Sequence, residues 1–348
     1  MTKPSMTIQQ AIAKVLGRND LEQHEMQAIM QQIMTGECTD AQIGGLLIAL
    51  RMKGETISEI TAAAQVMTSL ASHVHINAPH LIDIVGTGGD SLGTFNVSTA
   101  ASFVAAGAGA TVAKHGNRSV SSSSGSADLL EQAGANLSLN SEQVARVIEQ
   151  AGVGFMFAPM HHSAMKYAIG PRKEMAVRTI FNVLGPLTNP AHVKRQVIGV
   201  FEPGLTTTLA AVFKNLGSEH TLVVHSDDGM DEISVCANTQ ITEATQEKTQ
   251  NFLLRPEQYG IEKSPLKDLV VADAAESLRV IEAVLAGESG APRDIVILNA
   301  GAGIYVSGLA ESLAAGVDAA RASIDSGKAL AAKNAYVKAT QSFNSTDS

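Results

Sequence analysis

The sequence predicts an α/β protein in which a small all-helical segment precedes a larger region built on a largely parallel central sheet. Three observations carry that prediction. The first 72 residues show helix starts, apolar stripes and glycine stops in regular succession. Beyond Asn77-Ala78-Pro79, short β-like runs alternate with Ala-rich helical stretches, the pattern of strand–helix–strand units. The 348 residues, 45% hydrophobic and 17% charged, are enough for two domains of ordinary size and argue against wholesale disorder.

In chain order, Thr7 with Gln10, Asn19 with Glu22, Thr39 with Gln42 and Thr56 with Glu59 are spaced as capping boxes. In such a box the first side chain accepts from an orphan amide and the Glu or Gln reaches back. Gly17, Gly36 and Gly54 stand where three of these helices should stop, because glycine tolerates the left-handed conformation that follows a helix. Met26, Ile29, Met30 and Ile33, and again Ile43, Leu46, Leu47 and Leu50, repeat at helical spacing and must bury one face. After the boundary, runs 81–85, 111–113, 196–200, 221–225 and 294–298 read as strands, and 99–108, 128–133 and 141–151 as helices. Residues 182–190, with Pro186 and Pro190, read as an ordered connector.

Charge and composition narrow the function. Lys and Arg number 25 against 34 Asp and Glu, a net charge of −9, so general nucleic-acid binding has little electrostatic support. Cys38 and Cys236 are the two cysteines, too few for a disulfide framework or a Cys-based zinc site and suited to a reducing cytoplasm. The opening MTKPSMTIQQ has no apolar run, so no secretory signal is expected. No apolar stretch reaches the length of a membrane span, about 18 residues.

Residues 83–128 hold eight glycines and thirteen Ser or Thr, but only Lys114 and Arg118 as cations. Such a segment contacts phosphates through backbone amides and hydroxyls, backed by a few point charges. Gly86-Thr87-Gly88-Gly89-Asp90 follows a predicted strand. It lacks the third glycine of a dinucleotide fingerprint, where Ser91 stands, and the Gly-Lys-Ser/Thr of a Walker A loop. Ser98 or Thr99 opens the next helix, as a cap or as an oxygen ligand for magnesium. The cluster from Lys114 to Asp128 follows another strand, the place where α/β proteins bind ligands.

These blocks together resemble the anthranilate phosphoribosyltransferase family. The likeness lies in residues 83–90 (DIVGTGGD), 96–99 (NVST), 114–128 (KHGNRSVSSSSGSAD), 155–190 and 228–233 (DGMDEI), and it runs in order through nearly the whole chain. Ala176 stands where relatives often have glycine. The resemblance implies a fold similar to that of pyrimidine nucleoside phosphorylases. Residues 1–75 would form a helical domain, joined by helices from about 173–192; residues 76–172 and 193–348 would form the α/β domain. The commoner phosphoribosyltransferase fold is rejected: Val223-Val224 and Asp227-Asp228 suggest its motif, but Gly229-Met230-Asp231-Glu232 replaces the continuation.

The reaction so implied joins anthranilate to phosphoribosyl pyrophosphate (PRPP) and releases pyrophosphate, in the cytoplasm, on the path to tryptophan. The PRPP site would comprise Gly86, Gly89, Asp90, Thr94, Asn96, Val97, Ser98, Thr99, Lys114, His115, Gly116, Asn117, Arg118, Ser119, Val120, Ser121, Ser122 and Ser126. Ser98, Asp231 and Glu232 match the metal positions, for two Mg2+ ions bridging pyrophosphate. Gly86, Asn117, His162 and Arg172 would meet anthranilate, with Arg172 on its carboxylate. Lys114, Arg172 and His115 are the candidate catalytic residues, Lys114 by touching pyrophosphate. Zinc on His161 and His162 is not expected: neighbours in a strand point apart and no HExxH pattern accompanies them. The family's homodimer would form through the helical domain, with no nucleic-acid or membrane partner. The rival enzyme of the same fold, a pyrimidine nucleoside phosphorylase, should need no paired acids for magnesium.

Overall fold

The computed structural model describes residues 6–118 and 124–343. Helices α1 (Ile8–Leu16), α2 (Gln23–Thr35), α3 (Asp40–Lys53) and α4 (Ile57–Ser69) open it. Thr7, Thr39 and Thr56 cap α1, α3 and α4 in reciprocal boxes with Gln10, Gln42 and Glu59, as expected. The box expected at Asn19 and Glu22 lies three residues later, where the Glu22 amide donates to Glu25 at 2.8 Å. The cause is local: the Asn19 side chain turns back to donate to the Gly17 carbonyl at 3.0 Å. Lys14 meanwhile holds the Glu25 carboxylate in place at 2.6 Å.

Then follow β1 (Leu81–Gly86), α5 (Val97–Gly107), β2 (Thr111–Gly116), α6 (Ser126–Gln132), α7 (Ser141–Ala151), β3 (Val153–Phe157), α8 (Ala158–His161), α9 (Lys166–Met175) and α10 (Phe181–Leu187). After these come β4 (Arg195–Gly199), α11 (Leu205–Asn215), β5 (His220–Ser226), β6 (Thr239–Thr245) and β7 (Thr249–Leu254). Helices α12 (Ala274–Leu285), α13 (Ala291–Ser307), α14 (Leu313–Asp325) and α15 (Lys328–Gln341) close the described chain. Residues 182–190, read as a connector, thus hold most of α10.

Among the described residues the strands form one sheet in the order β3-β2-β1-β4-β5-β6-β7. The pairs from β3 to β5 are parallel; β6 and β7 add antiparallel. Residues 294–298, read as a strand, are the middle of α13. That helix is apolar on all sides because it is packed on all sides, against β1, β4, α5 and α14. A short apolar run cannot by itself separate this case from a buried strand.

Side chains alternate across a strand, and here the alternation divides two cores. Val197, Leu222 and Val224 join Val296 and Leu298 of α13 on one face. Ile198, Val200 and Val223 join the core of α1–α4, which also takes in Ala168 of α9 and Phe181 and Leu184 of α10. The Met and Leu stripes of α2 and α3 are buried there, each side chain contributing about 1.5–3 kcal/mol.

Candidate active site

Strand β1 lies between β2 and β4, so the connections leaving the sheet part on either side of it. Ligands of open parallel sheets bind outside the carboxyl ends of the strands at such a point. The ends here are Gly86, Gly116, Gly199 and Ser226. Gly86 pairs with Gly199, and both glycines are required by one neighbour, Asp231. A Cβ on Gly86 would come within 2.9 Å of the Asp231 carboxyl carbon, and one on Gly199 would overlap the Asp231 carbonyl. The turn after β5 is therefore seated directly on two strand ends.

That turn carries the acids. Asp231 accepts from the Gly88 amide at 2.7 Å. Glu232 accepts from the Ser98 amide at 3.1 Å, in the first turn of α5, where orphan amides favour an anion. Burial, then the facing Asp90, push Asp231 up to about 7, against the Gly88 amide, which lowers it. Burial, then Asp231, push Glu232 up to about 8. Two buried carboxylates, Asp231 crowded by Asp90 and Glu232 by Asp231, form an oxygen-donor set that a divalent cation would relieve. Among the described residues no three His, Cys, Asp or Glu side chains are arranged to hold an ion unaided. Oxygens from a ligand would have to complete the shell.

Lys114, 3% exposed, turns inward: its ammonium donates to the Ile84 carbonyl at 2.6 Å and to Ser98 Oγ at 3.2 Å. Burial lowers its proton affinity, against Asp83, Glu232 and Asp231, which raise it. Asn96 Oδ1 accepts from Ser277 Oγ at 2.8 Å and Ser124 Oγ at 3.0 Å. Thr87 and Thr99 keep buried hydroxyls with no partner among the described residues. Val97 is buried in the core, and Gly116 is packed against Ser126 Oγ and the Phe155 ring. Thr94 bridges to Val270, Asn117 accepts from Ser126 Oγ at 3.3 Å, and Gly89 has φ +86°. Arg118 is exposed and faces α6, in a forked pair with Glu131 at 2.6 Å and with Asp128 at 3.0 Å. Ser119, Val120, Ser121 and Ser122 lie outside the described residues.

The segment around α9 and α10 adjoins the ends of β1 and β2, touching the Gly89 carbonyl and His115. Arg172 is half-buried, 5.3 Å above the Phe181 ring, and burial lowers its proton affinity. Among the described residues its guanidinium has no carboxylate partner. One turn further along α10, the Gly185 carbonyl meets His115 Nδ1 at 3.2 Å. His115 and His162 stand 5.1 Å apart between ring centres. Burial, then neighbouring histidines, lower His115 to about 3 and His162 to about 4, so both are neutral at pH 7. Their Nε2 atoms are buried without partners among the described residues. His161 and His162 are not in a strand: His161 ends α8, and its Nδ1 meets the Ser72 carbonyl at 3.0 Å.

Three residues touching this region drew no attention in the sequence. Arg178 donates to the Gly89 carbonyl and lies 4.0 Å over the Phe201 ring. Ser277 holds Asn96, and Asn299 holds Ile233. Each acts across a long stretch of chain, so local motifs carry no sign of it. For Asn299 the available signal was an amide inside a wholly apolar run.

Comparison with known proteins gives the family. The model of the glycosyl transferase family, helical bundle domain, matches residues 9–71, and that of the glycosyl transferase family, a/b domain, matches 78–330. The anthranilate phosphoribosyltransferase of Marinomonas sp. is 56% identical over 99% of this chain and 100% of its own length. That of Hahella chejuensis is 59% identical over 94% and 95%. The crystal structure of the Thermus thermophilus enzyme superposes with a TM-score of 0.90 at 40% identity, covering 95% of this chain and 99% of that one. The Saccharomyces cerevisiae enzyme, solved in complex with PRPP and Mg, gives 0.88 at 27% identity over 96% and 98%. Similar from end to end, in both the helical and the α/β parts, the chain belongs to the anthranilate phosphoribosyltransferase family.

Proposed function

We propose that the chain transfers the 5-phosphoribosyl group of PRPP to the amine of anthranilate, giving N-(5-phosphoribosyl)-anthranilate and pyrophosphate in tryptophan biosynthesis. One observation carries the reading: the buried acids Asp231 and Glu232 stand at the glycine ends of β1 and β4, and the segment whose Arg178 touches the Gly89 carbonyl also carries Arg172, a half-buried guanidinium without an acid partner among the described residues. The first suits a cation-bound pyrophosphate and the second a carboxylate.

An aromatic amine is a nucleophile when neutral, so positioning and charge stabilisation should dominate. Arg172 would grip the anthranilate carboxylate with its planar fork. His115 and His162, neutral and with unused Nε2 atoms, would accept hydrogen bonds from the amine. The amides of the Gly88–Gly89 turn, Asn96 and the hydroxyls of Ser98 and Thr99 would hold PRPP. Lys114, turned toward Ser98 Oγ, would set the potential beneath pyrophosphate more than grip it. Asp231, Glu232 and Ser98 offer the oxygens that magnesium prefers, and we propose two ions. When bound, Mg2+ neutralises charge on the departing pyrophosphate.

The proposed homodimer would use the helical part. Leu16 and Met52 are 66% and 67% exposed there, beside a groove of about 540 Å³ lined by Ile48, Pro171 and Met175. A cytoplasmic setting fits the unpaired Cys38 and Cys236. Among the described residues no helix is long and apolar enough to cross a membrane.

The test is loss of anthranilate fluorescence with purified protein, PRPP and Mg2+, each omitted in turn. Loss that needs all three, with stoichiometric pyrophosphate, is expected. No loss from folded protein across a magnesium series would overturn the assignment.

A further inference from the structure

Asn299 is fully buried in the middle of α13, among Ile295, Val296, Ile297, Leu298 and Ala300. A carboxamide in such a setting is costly unless its polar atoms are matched. They are matched in one way. Oδ1 accepts from the Ile233 amide at 2.9 Å, and Nδ2 donates to the Ile233 carbonyl at 2.9 Å. The second Nδ2 hydrogen goes to the Ile295 carbonyl at 2.9 Å, one turn back in the same helix. Because two carbonyls demand donors and one amide demands an acceptor, the amide has a single orientation. The side chain thus pairs with both backbone groups of one residue, as a neighbouring strand would.

Ile233 immediately follows Glu232, and its amide belongs to the peptide joining the two. The remaining constraints on this turn lie elsewhere. Asp231 is seated on Gly86 and Gly199, while Asp228 accepts from Ser234 Oγ at 2.7 Å and from the Met230 amide at 3.1 Å. The Asn299 clasp holds the residue directly after Glu232, whose carboxylate meets the Ser98 amide at the start of α5.

We propose that Asn299 is a positioning residue for the reaction: by clasping Ile233, directly after Glu232, it aims the acid pair and sets divalent-cation affinity. This rests on the reading of Asp231 and Glu232 as metal-holding residues. Partners behind metal ligands typically change affinity by about 10–100-fold when removed.

The test is Mn2+ titrated into protein with pyrophosphate, read by the enhancement of water-proton relaxation over a protein-free Mn2+–pyrophosphate blank and normalised to folded protein by circular dichroism. Asn299→Ser should weaken Mn2+ binding by about tenfold while the KM for anthranilate changes less than twofold. A folded Asn299→Ser with wild-type Mn2+ affinity overturns the inference, whatever its melting temperature. Glu232→Gln separates the two ideas. If it too binds Mn2+ normally, the metal reading itself fails; if it alone is weakened, only the role of Asn299 fails. Should Asn299→Ser not fold, hydrogen exchange of the wild-type Ile233 amide decides. Protection already present in metal-free protein supports the clasp, and protection that appears only with Mg2+ and pyrophosphate refutes it.

Discussion

Adding one methyl group at Gly199 tests whether the turn carrying Asp231 is truly seated on the sheet. The three atoms nearest a Cβ at this position are the Asp231 carbonyl oxygen, its carbon and the Asp231 Cα, all backbone. Even the Cα would be 3.2 Å away, against 3.4 Å where ordinary contact begins. Strand β4 cannot retreat, because Gly199 is paired with Gly86 on one side and Val224 on the other. Asp231 must therefore withdraw, by more than an ångström at its carbonyl. Overpacking of this kind costs about 1–3 kcal/mol, and a misplacement of about 1 Å in a site costs roughly 100-fold in rate. Gly199→Ala is expected to lose about two orders of magnitude in kcat/KM and to need more Mg2+ for half-saturation, with melting lowered by about 5 °C. Gly204→Ala is the comparison, since nothing lies within 4 Å of its Cβ position and its cost should stay within about 0.5 kcal/mol. If Gly199→Ala matches Gly204→Ala in melting and in magnesium titration, the seating argument is wrong.

Three further outcomes follow from other parts of the molecule. Arg172→Ala should raise the anthranilate KM by about 10–100-fold, the worth of a charge-assisted pair, while the PRPP KM stays near wild type; varying each substrate separately checks it. Glu243 is buried and accepts from Tyr305 at 2.7 Å and Gln250 at 2.6 Å, with the His220 ring at 2.7 Å. Hydrogen bonding to His220, against burial and with help from Tyr305 and Gln250, lowers its carboxyl from 4.5 to about 2. A depressed acid stabilises above its unfolded value and loses that contribution as pH falls from about 4.5 toward 2. Glu243→Gln should thus cost about 3 kcal/mol at pH 7 and far less near pH 2, by urea denaturation. Ala176 has φ +50°, a conformation costing about 1–2 kcal/mol for a non-glycine residue. Part of that relief is offset by about 0.4–1 kcal/mol of unfolded-chain entropy, so Ala176→Gly should stabilise by about 0.5–1 kcal/mol, read as a rise in melting temperature.

What the sequence makes legible is what acts locally. The Thr7, Thr39 and Thr56 boxes close within four residues, and the glycine, Ser/Thr and acid loops announce ligand chemistry by composition. Asn19 misleads because its side chain has a nearer acceptor in Gly17. Strands β3, β6 and β7 escape notice for different reasons. Val153–Phe157 follows a helix with no polar alternation, Thr239–Thr245 is mostly polar, and Thr249–Leu254, at the sheet's edge, is half polar. Helix α13 is mistaken for a strand because burial on every side erases its period, although Pro292 in its first turn is a helix-start signal. Arg178, Ser277 and Asn299 stay hidden, since their partners are set only once the sheet and helices have assembled.

The helical core is shared between α1–α4 and two helices, α9 and α10, that the chain supplies much later. At about 5–20 residues added per second, a ribosome delivers α9 roughly 5–20 s after α4 is complete. Through that interval the surfaces destined for Ala168, Phe181 and Leu184 have nothing to cover them. The nascent segment is then a target for chaperones, and cutting the gene after residue 75 should yield a sticky fragment in place of a small stable bundle. The helical part of this protein matures only after much of the sheet has been made.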